Sequence, residues 1–387
     1  MVQEGSLSVV REIMGKFTRL TGLSSGKEPR RYLWTDAFAV CNFLGLHHRT
    51  GEERYKQLAL RLVDRVHHVL GRHREDDPRT GWISGLDDKK GEKHPTKGGL
   101  RIGKELKERS PDEPLDRRLE WKRDGQYYHY LTNWMHALNR VSQATGELTY
   151  NRWAVELAKT AHAAFTYTSP YGGKKSMYWK MSIDLTRPLV SSMGQHDPLD
   201  GFITYNQLQA VASEDPDHAD LKAEIADMAS ICEGKQWATQ DPLGIGGLLC
   251  DAYKVAQLIL KGHWSRTDLL SILLRSSQMG LEAYLKRNPT DLSAEKRLAF
   301  RELGLSLGLH AVEILREVID EQPDLFGEEK DLYSKIKNLL HYVPLIQEIE
   351  GFWLEPTNRQ TDNWTDHLDI NMVMLATSLY PDGYLGL

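Results

Sequence analysis

Five times along this chain a ring and one or more acids stand just before a run of apolar residues. The segments are LWTDAF (Trp34, Asp36), EWKRDGQYYHY (Trp121, Asp124), GQHDPLDGF (Asp197, Asp200), QWATQDPLG (Trp237, Asp241) and DNWTDHLD (Trp364, Asp366, Asp369). An Asp at a helix start ordinarily caps it, accepting backbone N–H bonds and complementing the helix dipole. Capping does not call for a tryptophan beside each acid, nor for His129, His196 and His367 nearby. Carboxylates among aromatic faces suit a ligand with hydroxyls and a pyranose face, so a saccharide is the expected partner. Two carboxyl groups at a suitable separation cleave a glycosidic bond, and Asp124 and Asp200 are expected to form that acid and base pair. An imidazole held by a carboxylate instead moves a proton beside a carbonyl. His196 and His367 would do so in the alternative, a sugar 2-epimerase or isomerase. Trp34, Asp36, Trp121, His129, Trp179, Asp241, Trp364 and Asp366 are expected to bind the sugar. A third reading is non-catalytic, a surface that binds a glycan or protein.

The stretch HPTKGGLRIGK (His94 to Lys104) is basic and contains glycines, so it offers Lys97 and Arg101 to an anionic substrate. It lacks the spacing of a phosphate-binding loop, and a mobile lid is the expectation. The histidines show no zinc-ligand spacing, and neither a metal nor a cofactor is expected. Cys41, Cys232 and Cys250 are odd in number and sit among apolar neighbours, which reads as buried free thiols in a reducing, cytoplasmic setting.

The elements that position these residues read as two alternating kinds of helix. Tyr55, Leu58, Ala59, Leu62, Val63, Val66 and Leu70 recur at helical spacing with charges between them, an amphipathic segment with one buried face. Asp36 to Leu46 is apolar almost all round and must be buried on every side. Inner segments of this second kind begin near Asp36, Gln126, Gly201, Leu243, Leu298 and Asp366. Outer ones cover Leu7 to Leu20, Glu52 to Leu70, Leu148 to Phe165, His218 to Cys232, Ser265 to Lys286 and Lys330 to Ile349. Gly244, Gly246 and Gly247 on one inner segment, and Gly304 and Gly308 on another, predict close backbone approach, because a helical glycine otherwise costs ~1 kcal/mol. Residues 72–124 form a long charged connection. Within the connections TGWISGL, SMYWKMSID and GFWLEP predict short strands.

Six inner and six outer helices, with long aromatic connections gathered at one mouth, resemble the (α/α)6 toroid of the six-hairpin glycosidase-like superfamily. That group includes glycoside hydrolases, unsaturated glucuronyl hydrolases and the N-acylglucosamine and cellobiose 2-epimerases. The resemblance implies an all-α toroid in one domain over residues 1–387, with 72–124 as a lid-like insertion and the site at the mouth. Asp124 and Asp200 loosely match the hydrolases' Asp at an inner-helix start. His196 and His367 supply imidazoles for epimerisation without the Pro-Gly-His motif of the 2-epimerases.

Composition narrows the partners. The 387 residues are 40% hydrophobic and 27% charged, typical of a globular chain. A net charge of -5 supplies no positive field for nucleic acid, which is not an expected partner. No run of ~18 apolar residues is apparent, so no membrane span is expected.

Overall fold

The computed structural model describes residues 4–24, 30–168, 172–212, 219–326 and 330–386. The fold is all-α, with successive helices packed in pairs and short strands in the connections. Each inner segment is a helix: Leu33–Thr50, Tyr128–Thr145, Asp197–Ala212, Pro242–Leu260, Ala299–Glu321 and Leu368–Leu379. Outer helices are Glu4–Leu20, Glu53–Leu70, Leu148–Phe165, Lys222–Cys232 and Thr267–Leu285. The expected start of the fourth outer segment, at His218, lies outside the described residues. The last outer segment is two helices, Lys330–Leu340 and Leu345–Leu354, because Pro344 interrupts the pattern. GFWLEP, expected as a strand, enters the second of these helices, where Trp353 is buried. TGWISGL contributes only an isolated bridge between Trp82 and Arg72.

The chain divides into two compact units, Thr18–Gly234 and Met1–Phe17 with Lys235–Leu387. In the first, Leu33–Thr50 is buried at every residue from Leu33 to Leu46, as its all-round apolar character requires. Glu53–Leu70 packs on it through Tyr55, Ala59, Leu62, Val63, Val66 and Leu70, the face read from periodicity. Tyr128–Thr145 packs against Leu148–Phe165 and Asp197–Ala212. SMYWKMSID does yield short strands: Lys175–Met177, and Lys180–Met181, which pairs antiparallel with Gln126–Tyr127 on one side and Pro188–Val190 on the other.

The interior of the 72–124 connection belongs to the core. Leu100 and Ile102 are fully buried. The Leu33 amide donates to Ile102 O (3.0 Å), the Ile102 amide to Gly125 O (2.8 Å) and the Arg101 amide to Leu70 O (2.9 Å). Residues 100–102 are thus a clasp between two helix starts and a helix end, in place of the expected lid.

In the second unit Pro242–Leu260 packs against Ala299–Glu321 and Thr267–Leu285. A Cβ on Gly246 would lie 2.0 Å from Gly304 O, and one on Gly308 would lie 2.6 Å from Gly246 Cα. This is the close approach the glycines predicted. Contrary to the sequence reading, Pro242–Leu260 is long and apolar enough to cross a membrane. Here it is mostly buried in protein and carries a buried ion pair, Lys254 to Asp251 at 3.0 Å.

Candidate active site

Two close-packed helix starts in the first unit build the site. A Cβ on Gly201 would lie 2.2 Å from the Tyr128 hydroxyl, so only glycine lets the first turn of Asp197–Ala212 approach the start of Tyr128–Thr145 this closely. The Tyr128 hydroxyl then donates to Tyr205 (2.8 Å), tying the two helices together inside the core. The consequence lies one residue along: His129 Nδ1 stands 3.6 Å from Asp197 Oδ1.

One polar atom of each group is left over. His129 Nδ1 and Asp197 Oδ2 are buried without a hydrogen-bond partner among the described residues. Asp197 sits in a helical first turn, where the dipole and the Gly194 amide favour its anion, yet burial dominates and pushes the carboxyl up to about 7. Burial, aided by the Lys104 charge, pushes His129 down to about 4 and keeps its ring neutral. About 29% of the His129 side chain remains exposed. Its Nε2 makes no hydrogen bond to a described residue and is the ring nitrogen open to a ligand.

Aromatic rings surround this pair. Tyr127 stacks on His129 (centroids 5.3 Å apart) and meets Tyr130 edge-on at 5.2 Å. Trp121 meets Trp179 at 4.9 Å and Tyr127 at 6.3 Å, and Trp179 lies 6.4 Å from His129. Trp121 is half exposed, a large apolar face turned to solvent. The strand pairing of Tyr127 with Lys180 brings Trp179 beside this cluster. Tyr32 completes it, its hydroxyl 2.5 Å from that of Tyr130. Burial raises both tyrosines, so both hydroxyls keep their protons at neutral pH.

The expected residues separate into those at this cluster and those engaged elsewhere. Trp121, Trp179 and His129 are in it. Asp124 is fully buried and its oxygens are taken: Oδ2 accepts from Arg101 Nη1 (2.7 Å) and Arg74 Nη1 (3.3 Å), Oδ1 from the Gly103 and Gly125 amides (3.0 Å each). The expectation of Asp124 as a catalytic acid or base fails on this geometry, and so does that of Arg101 as a free anion receptor. Asp36 is likewise buried, accepting from Arg31 Nη1 (3.2 Å) and from the Tyr32 amide (3.1 Å), so it holds Tyr32 in place. Trp34 is buried against Phe38 at 4.6 Å. Asp200 and His196 are half-buried around the start of the same helix, the Asp200 amide donating to His196 O at 2.9 Å.

Four expected residues belong to the second unit. Asp241 caps Pro242–Leu260, accepting from the Leu243 amide (3.2 Å), and pairs with Arg301 Nη1 at 2.5 Å. Trp364 is buried and stacks on Trp353 at 5.6 Å. Asp366 and His367 are exposed, with His367 5.8 Å from the Phe300 ring.

Asp197, Tyr127, Tyr130, Tyr32 and Lys104 were not chosen as site residues from sequence. Asp197 was visible as the acid beside His196 in GQHDPLDGF, and Tyr127 and Tyr130 as rings flanking His129. Among the described residues no group of three or more His, Cys, Asp or Glu side chains is arranged to hold a metal ion.

No family model matches the sequence, and no curated protein matches it. Solved structures do. Cellobiose 2-epimerase from Bacillus thermoamylovorans has 10% identity over 81% of this chain and 76% of its own, with a TM-score of 0.44. A sugar epimerase from a ruminal bacterium has 9% identity over 87% of this chain and 86% of its own, with a TM-score of 0.43. Cellobiose 2-epimerase from Spirochaeta thermophila has 10% identity over 89% of this chain and 98% of its own, with a TM-score of 0.45.

Proposed function

We propose that this chain is a carbohydrate-active enzyme that epimerises or isomerises a reducing sugar, with His129 as its proton-transfer group and Asp197 as the carboxylate that positions it. The observation that carries the reading is the His129–Asp197 pair beneath aromatic rings: a neutral imidazole with a carboxyl against Nδ1 and an open Nε2. Once ionised, Asp197 accepts the Nδ1 proton and leaves the Nε2 lone pair free, the tautomer a general base needs.

In this reaction the open-chain sugar presents its C2–H bond to Nε2. The proton passes to the ring and the electron pair moves into a C1–C2 enediolate. Rotation of the enediolate about its C2–C3 bond turns its other face to the protonated ring, and return of the proton to C2 there gives the epimer. Return to C1, with the O2 proton passing to O1, gives the ketose. The hydroxyls of Tyr32 and Tyr130, held protonated on the cluster around His129, would serve as donors for the oxygen on which charge develops. Trp121, Trp179 and Tyr127 supply faces for the sugar. Hydrolysis by Asp124 and Asp200 has less support, because Asp124 has no lone pair left for a substrate.

The test is a panel of aldoses and reducing disaccharides incubated in deuterated water and followed by NMR. Expected is deuterium at C2 together with epimer or ketose, reduced at least ~100-fold in His129→Gln and in Asp197→Asn. No exchange on any sugar sinks the reading, and release of new reducing ends from glycosides would reinstate hydrolysis.

A further inference from the structure

Among the described residues, Lys104 carries an ammonium at this aromatic cluster with no carboxylate within ion-pair distance. Its Nζ donates to the Trp121 carbonyl oxygen and stands 5.2 Å from the centre of the Tyr127 ring, the ring on which His129 stacks. An ammonium carries three N–H donors, so two remain. The contrast with Lys180 is instructive. Lys180 Nζ lies 5.5 Å from the same ring, but it is fully buried and satisfied by Glu120 Oε1 (2.8 Å), Glu120 O (2.8 Å) and Arg123 O (2.9 Å).

The nearby carboxylates cannot serve Lys104 as well. Glu120 is shared by Lys180 and by Arg109 Nε (3.1 Å), and Asp124 by Arg101 and Arg74. Glu120 and Asp124 each already answer two cations, so neither is free to neutralise Lys104. Partial burial and the Lys180 charge pull Lys104 down to about 8. An anion arriving at Nζ reverses that penalty, so the site gains most from a ligand that brings negative charge.

We infer that Lys104 is the anion-recognition residue of this site and that the sugar it selects carries a negatively charged substituent, a carboxylate or a phosphate. The inference rests on the proposed sugar site but concerns recognition, which is read independently of turnover. Arg101 and Lys97 were the residues that sequence suggested for this role. Arg101 is spent on Asp124, and the same basic stretch delivers Lys104 instead.

The experiment titrates the full-length protein with D-glucose, D-glucuronate and D-glucose 6-phosphate, at low and high salt, following tryptophan fluorescence or heat. Expected is at least ~tenfold tighter binding of one anionic probe than of glucose, a gap that narrows with salt. Whichever anion wins identifies the substituent. Lys104→Met should bring the two within about twofold, and Lys104→Arg should keep the preference, with thermal melting confirming that both variants fold. Equal binding of all probes, binding of no anion, or a preference that survives Lys104→Met overturns the inference. His129→Gln separates the two ideas: it should abolish C2 exchange and leave anion preference intact. Full exchange in that variant would sink the proton-transfer reading while the binding result stood on its own.

Discussion

His129 Nδ1 lies 3.6 Å from Asp197 Oδ1, with the imidazole and carboxyl carried on the starts of two different helices. Because Gly201 sets how closely those starts approach, the chemistry of the pair depends on packing four residues away on one helix and one residue away on the other. Burial favours the uncharged form of both groups, pushing Asp197 up to about 7 and His129 down to about 4, so the two do not persist as a fixed ion pair.

The pH profile of kcat/KM follows from this. Asp197 must be ionised to accept the Nδ1 proton, so activity should rise with pH through about 7. In Asp197→Asn that limb should vanish and kcat should fall by ~10² to 10⁴. A profile flat through neutrality in the parent enzyme would contradict the assignment.

Asp124→Asn is expected to act on stability. It would leave Arg101, whose side chain is 8% exposed, partly unpaired inside the protein, and weaken the clasp between Gly103 and Gly125. Breaking a buried pair of this kind costs about 3–5 kcal/mol. Urea unfolding measures it, and a variant with unchanged midpoint and lost activity would return Asp124 to the reaction.

Two neighbouring glycines should respond oppositely to the same substitution. Gly246→Ala drives a methyl to 2.0 Å from Gly304 O, while Gly247→Ala meets nothing within 4 Å. The first should destabilise by ~1–3 kcal/mol through overpacking. The second should be neutral or stabilising by up to ~1 kcal/mol, since alanine favours helix over glycine. Paired melting curves decide it.

His310 predicts an alkaline loss of stability. Its Nε2 contacts Glu350 Oε1 at 3.0 Å and its Nδ1 contacts Glu313 Oε2 at 3.3 Å. Glu350 also accepts from Ser306 (3.0 Å) and Ser378 (2.6 Å), joining three helices. Burial opposes the charge, but the two carboxylates outweigh it and raise the imidazole to about 9. A group raised on folding stabilises fully below its unfolded value of 6.5 and loses that contribution as pH climbs to about 9. The loss should approach roughly 3 kcal/mol, and His310→Gln should flatten the dependence of melting temperature on pH across that interval.

The helical elements were legible because their signals are local. Tyr55, Ala59, Leu62, Val63, Val66 and Leu70 announce one buried face at helical spacing, and that is the face that packs. Gly246, Gly304 and Gly308 announced a close crossing, since a glycine inside a helix demands compensation. GFWLEP failed because a short aromatic run has no period long enough to separate strand from helix. The mostly apolar Pro242–Leu260 was read correctly as inner, and its membrane-like length went unnoticed behind Asp251 and Lys254.

The site was legible only as a set of residue types. His129, Trp121 and Trp179 were picked out among many rings and acids, whereas Asp197 was visible only as the acid beside His196 and was not chosen as a site residue. By itself the sequence determined which segments are helices, which of their faces are apolar, and that acids and rings collect at inner-helix starts. Tertiary structure alone decided which charges are neutralised. Asp124 is silenced by an arginine 23 residues away and Asp197 is left without a cation, while Arg101 is consumed and Lys104 is spared. The reason is physical: periodicity is written along a few turns of chain, whereas desolvation and ion pairing depend on what distant segments bring within 4 Å.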